Sequence, residues 1–185
     1  MQIIDLLPDH KTAVQQAAAI LYECFGHLAS GYSTMAIALE EVEGFFQEGR
    51  IIRIAVDQTG TVLGWTGGIR QYDGYVWELH PLVVGAAYRR QGIGRSLVAD
   101  LEVQVRNRGG ITLWVGTDDE ENQTTLSGVS LYSNPFEHIA QIKNLRQHPY
   151  EFYQKCGFAI VGVMPDANGL GKPDIYMAKR VSQFT

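Results

Sequence analysis

The sequence predicts an α/β (α+β) fold: a single mixed, mostly antiparallel central sheet flanked by helices, in the order β-α-α-β-β-β-α-β-α-β-β. Three observations carry this prediction. Between residues 50 and 84, short apolar runs are separated by turn signals at Asp57-Gln-Thr-Gly60 and Asp73-Gly74, the pattern of an antiparallel meander. After it, Ile93, Leu97, Leu101 and Val105 recur at helical spacing before another apolar run. A helix joining two strands lets them lie parallel in one sheet, so the sheet is mixed.

The elements follow in order. Gln2 to Leu7 reads as a first strand closed by Pro8-Asp9, and 13–25 as an amphipathic helix. A second helix spans 34–47 and ends at Gly49. Strands follow at 50–56, 62–72 and 75–84. The third helix closes at Gly109-Gly110, where glycine supplies the left-handed residue of a helix end. A fifth strand at 111–115 leads into a polar stretch, 116–134, and a modest helix at 136–145. Pro149 opens a short helix through Cys156, a position that proline tolerates. Strands at 158–163 and 174–180 complete the chain. With no repeat or linker among its 185 residues, the chain is expected to form one domain, 1–185.

Apolar residues make up 45% and charged residues 19%, which argues against disorder. The net charge of -5 disfavours nucleic acid and anionic membranes as partners. Met1 to Asp5 has no basic leader, and no apolar run approaches the roughly 18 residues of a membrane span, so a soluble cytoplasmic protein is expected. Cys24 and Cys156 lie far apart, and the five histidines show no ligand spacing, so neither a disulfide framework nor a metal site is expected.

The charge is uneven. Residues 86–110 carry five basic residues against two acidic ones, and they contain Leu82-Val-Val-Gly-Ala-Ala-Tyr-Arg-Arg-Gln-Gly-Ile-Gly-Arg-Ser96 in large part. That segment is a strand, a loop and two glycines opening a helix. Gly92 and Gly94 allow close backbone approach, and the first amides of a helix lack internal acceptors. With Arg89, Arg90 and Arg95 nearby, a phosphate or pyrophosphate is the natural guest. The loop lacks the Lys-Ser/Thr of a P-loop, and Leu97 stands at the third Rossmann glycine, which excludes those two nucleotide sites.

Arg89-Arg90-Gln91-Gly92-Ile93-Gly94 resembles the (Gln/Arg)-x-x-Gly-x-(Gly/Ala) loop of the GNAT family of N-acetyltransferases, and Tyr153-Gln-Lys-Cys-Gly-Phe158 is similar to that family's helix-to-strand Tyr-x-x-x-Gly-Phe. Trp77-Glu-Leu-His-Pro-Leu-Val-Val84, Gly116-Thr-Asp-Asp-Glu120, His148-Pro-Tyr-Glu-Phe-Tyr-Gln-Lys155 and Lys172-Pro-Asp-Ile175 further resemble its aminoglycoside 6'-N-acetyltransferase branch. The resemblance implies acetyl transfer from acetyl-CoA to the 6'-amine of an aminoglycoside, by direct attack in a ternary complex. It implies that amides from Gln91 to Arg95, with Arg89 and Arg90, hold the pyrophosphate, and that Leu82, Val83 and Val84 pair with the pantetheine arm. Pro81 independently marks a bulge or splay in that strand. A homodimer is implied as well, with the final strands and the 166–172 loop as candidate interface.

An amine attacks a thioester only when neutral, so the site needs a base and a proton donor for the departing thiolate. Strand alternation places Glu78, His80 and Leu82 on one face and Trp77, Leu79 and Val83 on the other. Glu78 is the candidate base, directly or through water, with His80 sharing or relaying that role; Tyr153 is the candidate proton donor. The Val83 amide is expected to meet the thioester oxygen. Asp118, Asp119 and Glu120, following a strand, are candidates for the cationic acceptor. The alternatives are structural: an ion pair for Glu78, core packing for Tyr153 and His80, and a solvated loop for the acids. At the level of function they are another amine acceptor (a polyamine, a peptide N-terminus or a lysine) or a non-catalytic acetyl-CoA-binding dimer. Arg146 stands where many GNAT helices carry an asparagine that contacts the cofactor.

Overall fold

A computed structural model describes residues 1–28 and 31–182. The elements are β1 (Gln2–Asp5), α1 (Lys11–Phe25), α2 (Met35–Gly44), β2 (Arg50–Val56), β3 (Val62–Gln71), β4 (Val76–Val84), α3 (Ile93–Asn107), β5 (Thr112–Asp118), α4 (Pro135–Ala140), α5 (Tyr150–Lys155), β6 (Ala159–Met164) and β7 (Asp174–Arg180). This is the order expected from the sequence, with the modest helix of the polar insert, α4, added between β5 and α5. Two bounds differ materially. The polar Thr117 and Asp118 extend β5, with the Thr117 hydroxyl donating to the Ile175 carbonyl at 3.0 Å. The fourth helix stops at Ala140, because residues beyond it enter turns, with Thr124 bridged to Asn144.

The chain forms two compact units, 1–113 with 181–185, and 114–180. In the first, β1 to β4 pair in sequence, all antiparallel. Alternation along β2 decides what each face holds. Ile52, Ile54 and Val56 meet Val14, Ala17, Ala18 and Leu21 of α1 and Ala38 and Val42 of α2. Trp65 of β3 seals this layer, its indole N–H donating to the Ala17 carbonyl at 2.9 Å. On the other face Ala55 and Leu63 pack under Ile93 and Leu97 of α3. Arg53 points the same way, and its guanidinium binds Asp100 of α3 through Nε at 2.6 Å and Nη2 at 3.1 Å, with Nη1 on Asp5 at 2.6 Å. A guanidinium so buried, at 8% exposure, is tolerated because both carboxylates satisfy it.

One irregularity shapes the rest. Thr66 pairs with Leu82 and Gly68 with Leu79, so Gly67 faces two residues, His80 and Pro81, across a β-bulge. The peptide joining those two is cis. A Cβ on Gly67 would overlap the His80 carbonyl oxygen and the Phe45 ring, so the bulge requires glycine opposite it.

The second unit has strand order β5-β7-β6, with β6 and β7 antiparallel. Trp114 and Tyr176 meet edge to face at 5.4 Å across β5 and β7. Asp174 lies so close to Gly116 that a side chain there would strike its carboxylate at 2.6 Å.

Candidate active site

The bulge reverses the alternation expected along β4. Ahead of it, Glu78 pairs with Ile69 and, like His80, faces α1 and α2, whereas Trp77 lies against Val105 and Gly110 on the α3 side. Beyond it, Val83 joins the α1/α2 layer and Leu82 and Val84 join Ile93 and Leu97 beneath α3. Leu82 therefore does not share a face with Glu78 and His80: the inserted residue shifts the two-residue period by one.

The bulge also bears on which amides are free. The Gly85 amide donates to the Leu63 carbonyl at 3.0 Å. In an antiparallel ladder bonded pairs alternate, so Val83 is bonded to Trp65, while the amides of Leu82 and Val84 turn to the opposite edge of β4. The Val83 amide expected to meet the thioester oxygen is thus committed to β3, and Leu82 presents the first outward amide after the bulge.

Glu78 is half-buried. Burial pushes its carboxyl above the usual glutamate range, opposed by His80, by Arg50 and by the hydrogen bond from Gln71 Nε2 to Oε2 at 2.7 Å. A carboxylate of raised basicity is what a general base near neutral pH requires. His80 Nε2 lies 3.1 Å from the Tyr32 hydroxyl and 3.6 Å from Glu41 Oε1. Tyr32, Glu41 and Gln71 escaped the sequence reading. Glu41 had a legible signal, since three residues after Ala38 and one before Val42 it must flank the buried face of α2. Tyr32, in a stretch without periodicity, had none.

Beyond Val84 the chain makes a short 3₁₀ turn, Ala86–Tyr88, and enters α3 through Arg90 and Gly92, both in the left-handed region at φ 61° and 85°. Arg89, Arg90, Gln91, Gly92 and Arg95 are exposed, Gly94 half-buried and Ile93 buried. Among the described residues no side chain caps α3, and none lies within 4 Å of where a Gly92 Cβ would stand. Free amides, open backbone and arginines fit an anionic phosphate ester. Arg89 also braces the turn, donating through Nε to the Val84 carbonyl at 3.1 Å and through Nη2 to Cys24 Sγ at 3.2 Å.

In the second unit the acids separate by role. Asp118 is exposed and accepts from Asn168 Nδ2 at 2.5 Å. Asp119 is fully buried and accepts from the Gln123 amide at 2.6 Å, the Thr124 amide and hydroxyl at 2.8 and 2.7 Å, and the Ser127 hydroxyl at 2.6 Å. Burial raises its carboxyl, but these bonds outweigh that and hold it below the usual aspartate range. Its lone pairs organise the turn after β5, leaving none aimed outward for an acceptor. Glu120 is buried too. His148, 2% exposed, bonds the Asp118 carbonyl through Nε2 at 3.2 Å and accepts the Tyr150 amide at Nδ1 at 3.2 Å, linking α5 to this turn. Tyr153 is 7% exposed, its ring edge-on to Phe152 and Phe158 at 5.1 and 5.6 Å. Burial pushes its phenol well above the ordinary range, so it is a retained proton. Among the described residues no cluster of three or more metal-ligating side chains occurs, and no helix is long and apolar enough to cross a membrane.

The strand, bulge, glycine turn and uncapped helix define an acetyltransferase: the chain belongs to the Acetyltransferase (GNAT) family, whose model matches residues 15–127. Among solved structures it is similar to an aminoglycoside 6'-N-acetyltransferase complexed with coenzyme A, at 44% identity and a TM-score of 0.92 over 100% of this chain and 99% of that one. It is similar to the aminoglycoside 6'-N-acetyltransferase from Enterococcus faecium at 43% identity and a TM-score of 0.90, with the same coverage. An aminoglycoside 6'-acetyltransferase type Ii matches at 36% identity and a TM-score of 0.75, over the full length of both chains. No curated protein matches.

Proposed function

We propose that the protein is an aminoglycoside 6'-N-acetyltransferase, which moves the acetyl group of acetyl-CoA to the 6'-amine of the antibiotic by direct attack in a ternary complex. The observation that carries this reading is identity of 44% and 43%, along the whole chain, to two enzymes of that activity, one holding coenzyme A. Coverage of the whole chain by both of these enzymes supports a single catalytic domain, 1–185.

Acetyl-CoA supplies an activated thioester. The amides from Gln91 to Arg95, with Arg90 and Arg95, hold its pyrophosphate, and Arg89 keeps the turn in place against the end of β4. Leu82 and Val84 offer their outward amides to the pantetheine arm and the thioester oxygen, where an oriented donor is worth about 3–4 kcal/mol as charge develops. Glu78 binds the acceptor ammonium and takes its proton. Tyr153, the family's tyrosine before Gly157-Phe158, returns a proton to the departing thiolate. Asp118, the exposed acid of its segment, attracts the polycation, and Asp119 and Glu120 shape the turn that carries it.

The cytoplasm is the proposed compartment, where acetyl-CoA is made. A homodimer is proposed through β6, last in its strand order and bearing exposed Val161 and Met164, and through the 166–172 loop with Leu170 at its tip. Sedimentation at micromolar concentration checks it, and a monomer would remove it.

Thiol release is the assay for activity. With acetyl-CoA, kanamycin-type acceptors bearing a 6'-amine are expected to turn over, and 6'-hydroxyl analogues are not. Turnover confined to polyamines, peptides or lysine, or coenzyme binding with no amine acetylated, would refute the assignment. In the same assay Tyr153→Phe is expected to lower kcat about 10²-fold, the range of one acid–base group, with acceptor KM changed less than threefold. Wild-type turnover would remove the tyrosine from the mechanism.

A further inference from the structure

The trio Tyr32, Glu41 and His80 lies beside the candidate base and has no place in the scheme above. We propose that Tyr32 is a positioning residue that locks the neutral His80 imidazole in the form protonated at Nδ1, with Glu41 holding the Nε2–H of the charged ring, so that His80 orients the acceptor as a hydrogen-bond donor and takes no proton from the attacking amine. The inference rests on the acetyltransferase reading for what the ring meets, and on geometry alone for the state of the ring.

Both contacts fall on one nitrogen. Nε2 is 3.1 Å from the Tyr32 hydroxyl and 3.6 Å from Glu41 Oε1, and among the described residues nothing bonds Nδ1. A neutral imidazole has one donor and one acceptor nitrogen, and the partner at one fixes the other. Tyr32 is half-buried, and burial together with the Glu41 carboxylate pushes its phenol well above the ordinary range. It therefore remains O–H, and in the proposed arrangement that O–H donates to Nε2, leaving the proton on Nδ1. When the ring is charged, Nε2–H turns toward the Glu41 carboxylate, and Nδ1 again carries a proton. The ring presents a donor at Nδ1 in both states.

The groups facing His80 are Tyr32 from the segment before α2, Glu41 from α2, and Glu78 from β4 itself, with Arg50 of β2 beside Glu78. Glu78 keeps a basicity raised by burial despite the opposing charge of Arg50, and it is the group proposed to take the proton of the amine. At 42% side-chain exposure, the imidazole is open enough to reach a ligand, and a donor there matches an oxygen of the acceptor, a ring or hydroxyl oxygen near its amine. A simple alkyl amine offers no such oxygen.

Long-range ¹H–¹⁵N correlation of the His80 ring, followed with pH until its nitrogen shifts report the neutral ring, reads the tautomer directly. The wild-type protein is expected to show a protonated Nδ1 and a bare Nε2, and Tyr32→Phe to shift the ring toward Nε2–H. Kinetically, Tyr32→Phe is expected to raise the aminoglycoside KM about 5- to 10-fold, one hydrogen bond's worth, with kcat within threefold and the acetyl-CoA KM unmoved. Glu41→Gln is expected to keep the neutral tautomer and to raise acceptor KM only on the acid side. A wild-type ring protonated at Nε2, or a tautomer unmoved by Tyr32→Phe, overturns the proposal even in an active enzyme. Should Tyr32→Phe fail to fold, the wild-type spectrum and Glu41→Gln decide. A ring with Nδ1–H in a protein that acetylates no aminoglycoside would overturn the acceptor reading and uphold the tautomer.

Discussion

Glu78→Gln is expected to lower kcat/KM for the aminoglycoside about 10²- to 10⁴-fold, the span of general base catalysis, and to leave the KM for acetyl-CoA unchanged. Glutamine keeps the shape, and an amide oxygen still accepts the Gln71 hydrogen bond, so the loss reports basicity and charge rather than packing. The pH profile adds a sign. With Glu78 as base, the productive complex holds an ammonium and an ionised carboxylate, so activity falls as pH drops through the carboxyl's own ionisation. Burial has raised that ionisation above the usual glutamate range, which moves the acid limb upward. Without the base, only an acceptor already neutral in solution can attack. The acid limb of the variant is therefore expected to move higher, to the ionisation of the amine itself. An unmoved limb would remove Glu78 as the base.

Gly67→Ala is expected to destabilise the protein by about 3 kcal/mol, the upper part of the range for overpacked positions, lowering Tm by roughly 6–12 °C. The added methyl meets the His80 carbonyl, which is backbone and cannot swing aside, as well as the Phe45 ring, itself packed edge-on to Trp65 at 5.8 Å. Because the bulge places Glu78 and His80 on one face and turns Leu82 outward, activity should fall further than stability explains. Gly68→Ala is the control. There the methyl would meet the far end of the Leu101 side chain at 3.0 Å and no backbone atom, so the cost should be smaller. Equal thermal shifts in the two variants would show that the bulge does not depend on Gly67.

Much of this was legible in the sequence because it is local. The meander, the α3 pattern and the glycine turn are written in contiguous residues, and each fell within a few positions of its expected bounds. Pro81 announced a disturbance in β4. What it did not announce was the consequence, since a bulge is a relation between two strands: Gly67 lies fourteen residues earlier, and only the pairing reveals that it faces both His80 and Pro81. Counting by twos from Glu78 therefore placed Leu82 on the wrong face, and it hid that the Val83 amide pairs with β3 while the Leu82 amide turns outward. The acids after β5 misled in a similar way. The carboxylates of Asp118, Asp119 and Glu120 read as one patch, yet Asp119 turns inward to gather four donors while Asp118 remains exposed, a difference set by the folding of residues 119–127. Tyr32 and Glu41 reach His80 over sequence distances of 48 and 39 residues, which no local pattern encodes.

The most direct test of the account is the position of the acetyl group in the product. The protein is incubated with acetyl-CoA and kanamycin-type antibiotic, and the product is isolated and its ¹H–¹³C NMR spectrum assigned. A single amide is expected, on the 6' nitrogen, with every other amine unmodified; acetyl on a different nitrogen or on a hydroxyl oxygen, or antibiotic recovered unchanged, would contradict 6'-N-acetyl transfer.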